Sequence, residues 1–285
     1  MTSKSQGSSI RQKLIALSRS LGIPYQNLET SFLIERLVAR LTARALLNQN
    51  LVFKGGFVGL RVYHSSRYTV DLDALIFKSD TLTTLNQARQ LAESDLKDGV
   101  WFRFEEQVDL VTQGEYGGIR QVYRAGIGEL MKDLSKAQIV NFDLGIGDPV
   151  TPSPIQIEMK SLLSTQESLN WLVYPLETMV AEKLHALITL GNFNSRSKDV
   201  FDLSVFLPRV DALILYDALK DCFEFRKTPL PKCFSAEIQS IDTVILKRGW
   251  LSATVSMTKS IKFEEAYEKI LFHMRNLERA FPERS

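Results

Sequence analysis

The chain has 285 residues, 45% of them hydrophobic, and carries a net charge of only +2. That supplies a substantial core, enough for two lobes, and gives no overall field to announce a nucleic-acid partner. Cys222 and Cys233 are too few for a disulfide framework, and no stretch approaches 18 uninterrupted apolar residues. With no long apolar segment in "MTSKSQGSSIRQK", a soluble protein of a reducing cytoplasm is expected.

The N-terminal 50 residues depart from the near-neutral average, with seven Lys/Arg against Glu29 and Glu35. Ile10, Leu14, Leu17 and Leu21 recur at three- and four-residue steps, which predicts a helix over 8–21 broken at Pro24. A second helix is predicted over 28–47, with Leu33, Leu37 and Leu41 on its core stripe. Beside that stripe, Arg36, Arg40 and Arg44 form an i, i+4, i+8 row. Two readings stand: a solvated flank pairing with acids elsewhere, or a contact for RNA phosphates or acidic residues of a protein partner.

"LVFKGG" then enters a turn, and Val58 to Tyr63 continue as a short helix. Glycines ahead of a helix leave backbone N–H groups free to cradle phosphate, with Lys54 as an added point charge beside Gly55 and Gly56. A tight turn without ligand has the same sequence. "YTVDLDALIF" is a strand in which Asp71 and Asp73 project from one face. Such a pair suits a hard divalent cation, Mg²⁺ or Mn²⁺, because these ions take a few carboxylates plus phosphate oxygens. It also occurs on solvated strands. Residues 81–97 return to helix.

From 100 to 160 the pattern changes to short strands, "VWFRFEEQVDLV", "GIRQVYRAGI", "QIVNFDLGI" and "IQIEMK", separated by Gly- or Pro-bearing turns. Alternation in "IVNFDLGIGD" puts Ile139, Asn141 and Asp143 on one face and Val140, Phe142 and Leu144 on the other. Asp143 would then offer a third carboxylate if its strand lies beside the 70–77 strand, which frames a two-metal phosphoryl-transfer site. On an edge strand it would be a surface residue. Glu158 lies on a Gln/Glu/Lys face that reads as solvated. This order of elements is α+β, with a mixed sheet flanked by helices rather than a repeating βαβ pattern.

After "YPLET" the chain is helical, with helices predicted near 176–190, 197–207, 210–222 and 263–280. The division falls near 172: residues 1–172 form helices plus an α/β core, and 173–285 a helical C-terminal lobe completing the active-site cleft. Leu176, Met179, Val180, Leu184 and Leu187 form an apolar stripe that includes Lys183. A lysine there needs an anionic partner, either a nearby carboxylate or a nucleotide phosphate. His185 lies off the stripe and reads as surface. In "NSRSKDVFDL", Asp199 and Asp202 share a helical face, Arg196 and Lys198 sit at its start, and Ser195 or Ser197 would cap it.

Together, "KGGFVGLRVYHSSRYTVDLDALIF", "VNFDLGIGDPVTP" and "YPLETMVAEKLHALITLGNFNSRSKDVFDL" resemble the AbiEii/AbiGii-type nucleotidyltransferase toxins of type IV toxin–antitoxin systems, over about 28–208. The first block is shared with DNA polymerase β-like nucleotidyltransferases generally. The resemblance implies that Asp71 and Asp73 bind metal, Asp143 completes the acidic set, and Lys54, Gly55 and Gly56 form the nucleotide-binding turn. Lys183 and Asp199 match the lysine and aspartate of the third and fourth motifs, and join the acids as catalytic residues. Arg67 matches a basic position before the D-x-D, and with Arg196 and Asp202 is carried over as nucleotide-binding. Phe57 departs from the pattern, because relatives often carry Ser or Thr after the glycines.

The function implied by this resemblance is an NTP-dependent transfer of a nucleoside monophosphate, with Mg²⁺ or Mn²⁺, to an acceptor hydroxyl at the 3′ end of tRNA, restrained by a cognate antitoxin. Two rivals remain: transfer to a protein hydroxyl, and a catalytically degenerate protein that only binds nucleotide or RNA.

Overall fold

The computed structural model describes residues 3–110, 117–164, 166–255, 257 and 261–282. Val111, the last residue of one predicted strand, lies outside them. The chain divides into two units, the first comprising 1–64, 68–147 and 155–173, the second 65–67, 148–154 and 174–285.

The first unit contains α1 (Ser3–Leu21), α2 (Tyr25–Leu41), α3 (Ala45–Asn50), β1 (Leu51–Lys54), α4 (Gly55–Arg61), β2 (Asp71–Ile76), α5 (Thr81–Ala92), β3 (Val100–Leu110), β4 (Gly118–Ile127), β5 (Gln138–Ile146), β6 (Ile155–Lys160) and β7 (Ser168–Val173). The strands form one mixed sheet in the order β3-β4-β5-β2-β1-β7-β6. β2–β5 and β1–β7 are parallel, and the other neighbours antiparallel.

β1 and β7 had no predicted strand. Leu51, Val52 and Phe53 are all fully buried, and a short apolar run of that kind carries no period to distinguish strand from turn. β5 alternates as expected, with Val140, Phe142 and Leu144 fully buried and Asn141 and Asp143 half-buried between them. The predicted 28–47 helix is instead two. α2 closes at Thr42, whose N–H and hydroxyl both return to the Val38 carbonyl, and Arg44 is extended ahead of α3. Asp80 caps α5 by accepting the Thr83 N–H at 2.8 Å.

Through Arg36 and Arg40 the arginine row pairs with acids elsewhere, as one reading held, but the expectation of a solvated flank is corrected. Arg36 and Arg40 are buried, Arg40 completely, while Arg44 is exposed. Arg40 uses all five N–H donors: Asp98 takes two, and the carbonyls of Arg36, Ser94 and Val100 take the rest. Arg36 reaches Asp98 at 2.7 Å and Glu167 at 3.1 Å. Burial works against the Asp98 charge, but Arg40 and Arg36 outweigh it and hold its carboxyl below the usual range. This is an internal tie between α2 and the entry to β3, so two of the three arginines are not a surface.

The second unit is helical: α6 (Leu176–Leu190), α7 (Ser197–Phe206), α8 (Ala212–Phe225), α9 (Phe234–Ser240), α10 (Val244–Thr254) and α11 (Phe263–Glu278). α9 and α10 were not individually predicted. Leu184, Leu203, Phe206, Leu219, Ile238, Leu246 and Ile270 fill its core. α10 approaches α7 at Gly249, where an added Cβ would lie 2.4 Å from Ser197 Oγ. That hydroxyl donates to the Leu246 carbonyl at 2.7 Å. Ser197 is therefore a tie between helices rather than a cap, and Arg196 holds the cap position without a side-chain capping bond.

Candidate active site

The sheet aligns four charged residues in one transverse row. Arg120 on β4 is the register partner of Asp143 on β5, Asp143 of Asp73 on β2, and Asp73 of Lys54 on β1. Register partners share a face, so the row reads cation, acid, acid, cation. Asp71 lies two residues before Asp73, opposite Asn141, whose amide donates to Asp71 Oδ1 at 2.8 Å. The three predicted carboxylates thus fall on two adjacent strands.

Gly55 opens α4 directly after β1 with φ +72°, and a Cβ there would lie 1.9 Å from Asp73 Oδ2. Its glycine is required twice, by the left-handed backbone and by the approach of that carboxylate. The next apolar side chain, Phe57, is fully buried and meets Trp171 edge-on at 5.9 Å, while Phe53 meets the same ring at 5.2 Å. The position where relatives often place a hydroxyl therefore belongs to the core in this chain.

Arg120 is a residue that sequence reasoning missed. It donates from Nε to Asp143 Oδ1 at 2.6 Å and from Nη2 to Oδ2 at 2.7 Å. Its hydrogen bonding to Asp143, aided against desolvation by the charges of Asp143, Asp71 and Asp73, raises its already high pKa further. The only available sequence signal was its place in "GIRQVYRAGI", and strand pairing was needed to bring it to Asp143.

Among the described residues, no group of three His, Cys, Asp or Glu side chains is arranged to hold a metal. The donor chemistry nevertheless fits a hard divalent cation at Asp71 and Asp73, which supply anionic oxygens from one strand face. Both oxygens of Asp143 face a guanidinium instead.

The second unit has its own charged cluster. Lys183 Nζ on α6 lies 2.6 Å from Asp199 Oδ1 and 2.9 Å from Asp202 Oδ2, both on α7. Arg67 grips Asp202 with two bonds, at 2.9 and 2.6 Å, and Arg196 reaches Asp199 at 2.6 Å. The side chains of Lys183, Asp199, Asp202 and Arg67 are nearly buried, while that of Arg196 is 58% exposed. Burial opposes the charges of Lys183, Asp199 and Asp202. Lys183 and Arg196 nevertheless bring Asp199 down to about 2, and Lys183 and Arg67 lower Asp202. The two aspartates in turn raise Lys183 above the ordinary lysine value. A nearby carboxylate is thus what meets the lysine on the apolar stripe.

His185 corrects the expectation of a surface residue. It is 7% exposed, and its Nδ1 faces Arg226 Nη1 at 3.2 Å while Nε2 faces Thr228 Oγ1 at 2.9 Å. Arginine can only donate, so Nδ1 carries a lone pair and Nε2 the proton. Burial, with the Arg226 charge, lowers its pKa to about 4. Glu158 is exposed and paired with Lys160 at 3.1 Å, as its face predicted. A cavity of about 260 Å³ lined by Arg11, Glu29, Trp101 and Lys136, among others, includes none of the candidate residues.

A model of the family described as "Nucleotidyl transferase AbiEii toxin, Type IV TA system" matches residues 36–280, well beyond the 28–208 that the motifs delimit at the C-terminal side. Among solved structures, the chain is similar to JHP933 from Helicobacter pylori, with 16% identity, a TM-score of 0.54, and coverage of 90% of this chain and 94% of that one. It is also similar to an H. pylori protein whose structure carries a nucleotidyltransferase designation, with 15% identity, a TM-score of 0.51, and coverage of 90% and 96%. At these identities the likeness is one of fold. No curated protein matches the sequence. No helix of the described residues is long and apolar enough to cross a membrane.

Proposed function

The chain belongs to the AbiEii nucleotidyltransferase toxin family of type IV toxin–antitoxin systems, and from that premise we propose that it transfers a nucleoside monophosphate from an NTP to the 3′ hydroxyl of a tRNA. The observation that carries the proposal is the placing of Asp71, Asp73 and Asp143 on the adjacent strands β2 and β5, with Lys54 and Gly55 beside Asp73. Family membership also implies a cognate antitoxin as partner.

Asp71, Asp73 and Asp143 would hold Mg²⁺ or Mn²⁺, which when bound supplies neutralisation of phosphate charge and polarisation of the α-phosphorus. Asp143 accepts the proton of the acceptor hydroxyl as its oxygen bonds to the α-phosphorus. The bond from that phosphorus to the bridging oxygen breaks, and pyrophosphate leaves. Lys54 compensates the charge that develops on it, and the backbone N–H groups of Gly55 and Gly56 contact phosphate. Within the helical unit, Lys183, Arg67 and Arg196 are the nucleotide-binding cations, and Asp199 and Asp202 hold them in place.

The test is incubation of the protein with α-labelled NTPs, total RNA and total protein. Label at the 3′ end of tRNA is expected. Label on protein would transfer the assignment to a protein hydroxyl. Label on neither would leave a nucleotide- or RNA-binding protein, the reading to which the core position of Phe57 lends weight.

A further inference from the structure

Arg120 is assigned by no motif. Its fork meets both oxygens of Asp143 in the bidentate arrangement in which guanidinium–carboxylate pairs are strongest. The pair is half-open, with Arg120 32% and Asp143 19% exposed, unlike the buried arginines of α2. It also stands in the fields of Asp71 and Asp73, which share its face of the sheet. A single positive charge pressed against that cluster does part of what a divalent cation would do. Guanidinium and cation brought together there would repel.

We propose that Arg120 is an internal counter-cation that competes with the divalent metal for Asp143, so that metal is held weakly until Arg120 releases that carboxylate. The inference rests on the reading of Asp71, Asp73 and Asp143 as metal ligands. It makes Arg120 a positioning residue that sets when the acidic group is available. In the clamped state Asp143 is neither a ligand nor a free base.

The experiment is Mn²⁺ binding measured by calorimetry without nucleotide, on the wild type, Arg120→Gln, Asp143→Asn and the double variant. Arg120→Gln is expected to tighten Mn²⁺ at least tenfold. In the Asp143→Asn background the same change should matter less than threefold, because the contested carboxylate is gone. Equal gains in both backgrounds would reduce Arg120 to a distant charge and overturn the proposal, as would no gain in either while the wild type binds. If none of the four binds Mn²⁺, the metal reading fails and the proposal falls with it. Should Arg120→Gln fold poorly, Arg120→Lys keeps the charge without the fork and is expected to bind Mn²⁺ with intermediate affinity. An affinity for Arg120→Lys no tighter than that of the wild type would also overturn the competition.

Discussion

The sheet unit and the helical unit each gather acidic and basic side chains, and they treat them in opposite ways. On the sheet, Asp71, Asp73 and Asp143 outnumber Arg120 and Lys54, and the carboxylates are half-buried. In the helical unit, Lys183, Asp199, Asp202 and Arg67 are nearly out of solvent and tightly interlocked. Carboxylates held together with an incomplete counter-charge store repulsion that an incoming cation relieves. Charges fully paired in a low-dielectric interior are expensive to disturb. The first arrangement is suited to taking up a cation, and the second to holding its own cations rigidly in place, with the exposed Arg196 as its outward arm.

The sharpest test of the difference is at Asp73. Asp73→Ala removes one of several repelling carboxylates, so the fold should persist while transfer falls by roughly 10³-fold or more, the scale of losing a central electrostatic group. Circular dichroism and turnover measured together decide it, and full activity in a well-folded variant would end the metal assignment. Asp202→Asn should do the reverse. It leaves Lys183 and Arg67 short of an anion in the interior, at a cost of about 3–5 kcal/mol in denaturant unfolding. A loss under about 1 kcal/mol would show the helical cluster to be as yielding as the sheet row.

His185 extends the contrast to pH. Its folded pKa of about 4 lies below the ordinary 6.5, so the unfolded chain binds the proton first. Its contribution to stability is complete above pH 6.5 and is lost as pH falls from there toward 4. The amount is about 2 kcal/mol after allowance for residual solvent screening. The stability advantage of the wild type over His185→Gln should therefore shrink across that window. A constant difference would mean that the ring is not held neutral.

How much was legible in the sequence depended on the range of each signal. Period-two alternation placed Asp71, Asp73 and Asp143 on their faces, because it depends only on neighbours two residues apart. The apolar stripe of α6 likewise exposed Lys183 as an anomaly. Arg120 was invisible because it reaches Asp143 only through the β4–β5 register, set by contacts 23 residues apart in the chain. Arg36 and Arg40 looked like a surface row because Asp98, about 60 residues on, has no local mark as their partner. His185 failed for the same reason, its surroundings being supplied by Arg226 and Thr228. β1, buried at Leu51, Val52 and Phe53, carried no period at all.

The smallest expected effect concerns what remains of that arginine row. With Arg36 and Arg40 committed to Asp98, only the exposed Arg44 is placed to meet a phosphate. A single lost phosphate contact lowers the dependence of log K on log salt by about 0.7–0.9. Arg44→Gln should therefore flatten the salt slope of RNA binding by no more than that. The Arg36/Arg40→Gln pair should instead lower the unfolding midpoint, because it strands Asp98 and breaks the tie to β3. Measuring RNA affinity across a salt series beside thermal unfolding separates the two outcomes. A slope reduced by about 1.4–1.8 in a fully stable Arg36/Arg40→Gln protein would return the row to the surface and break the distinction between charges that bind and charges that hold.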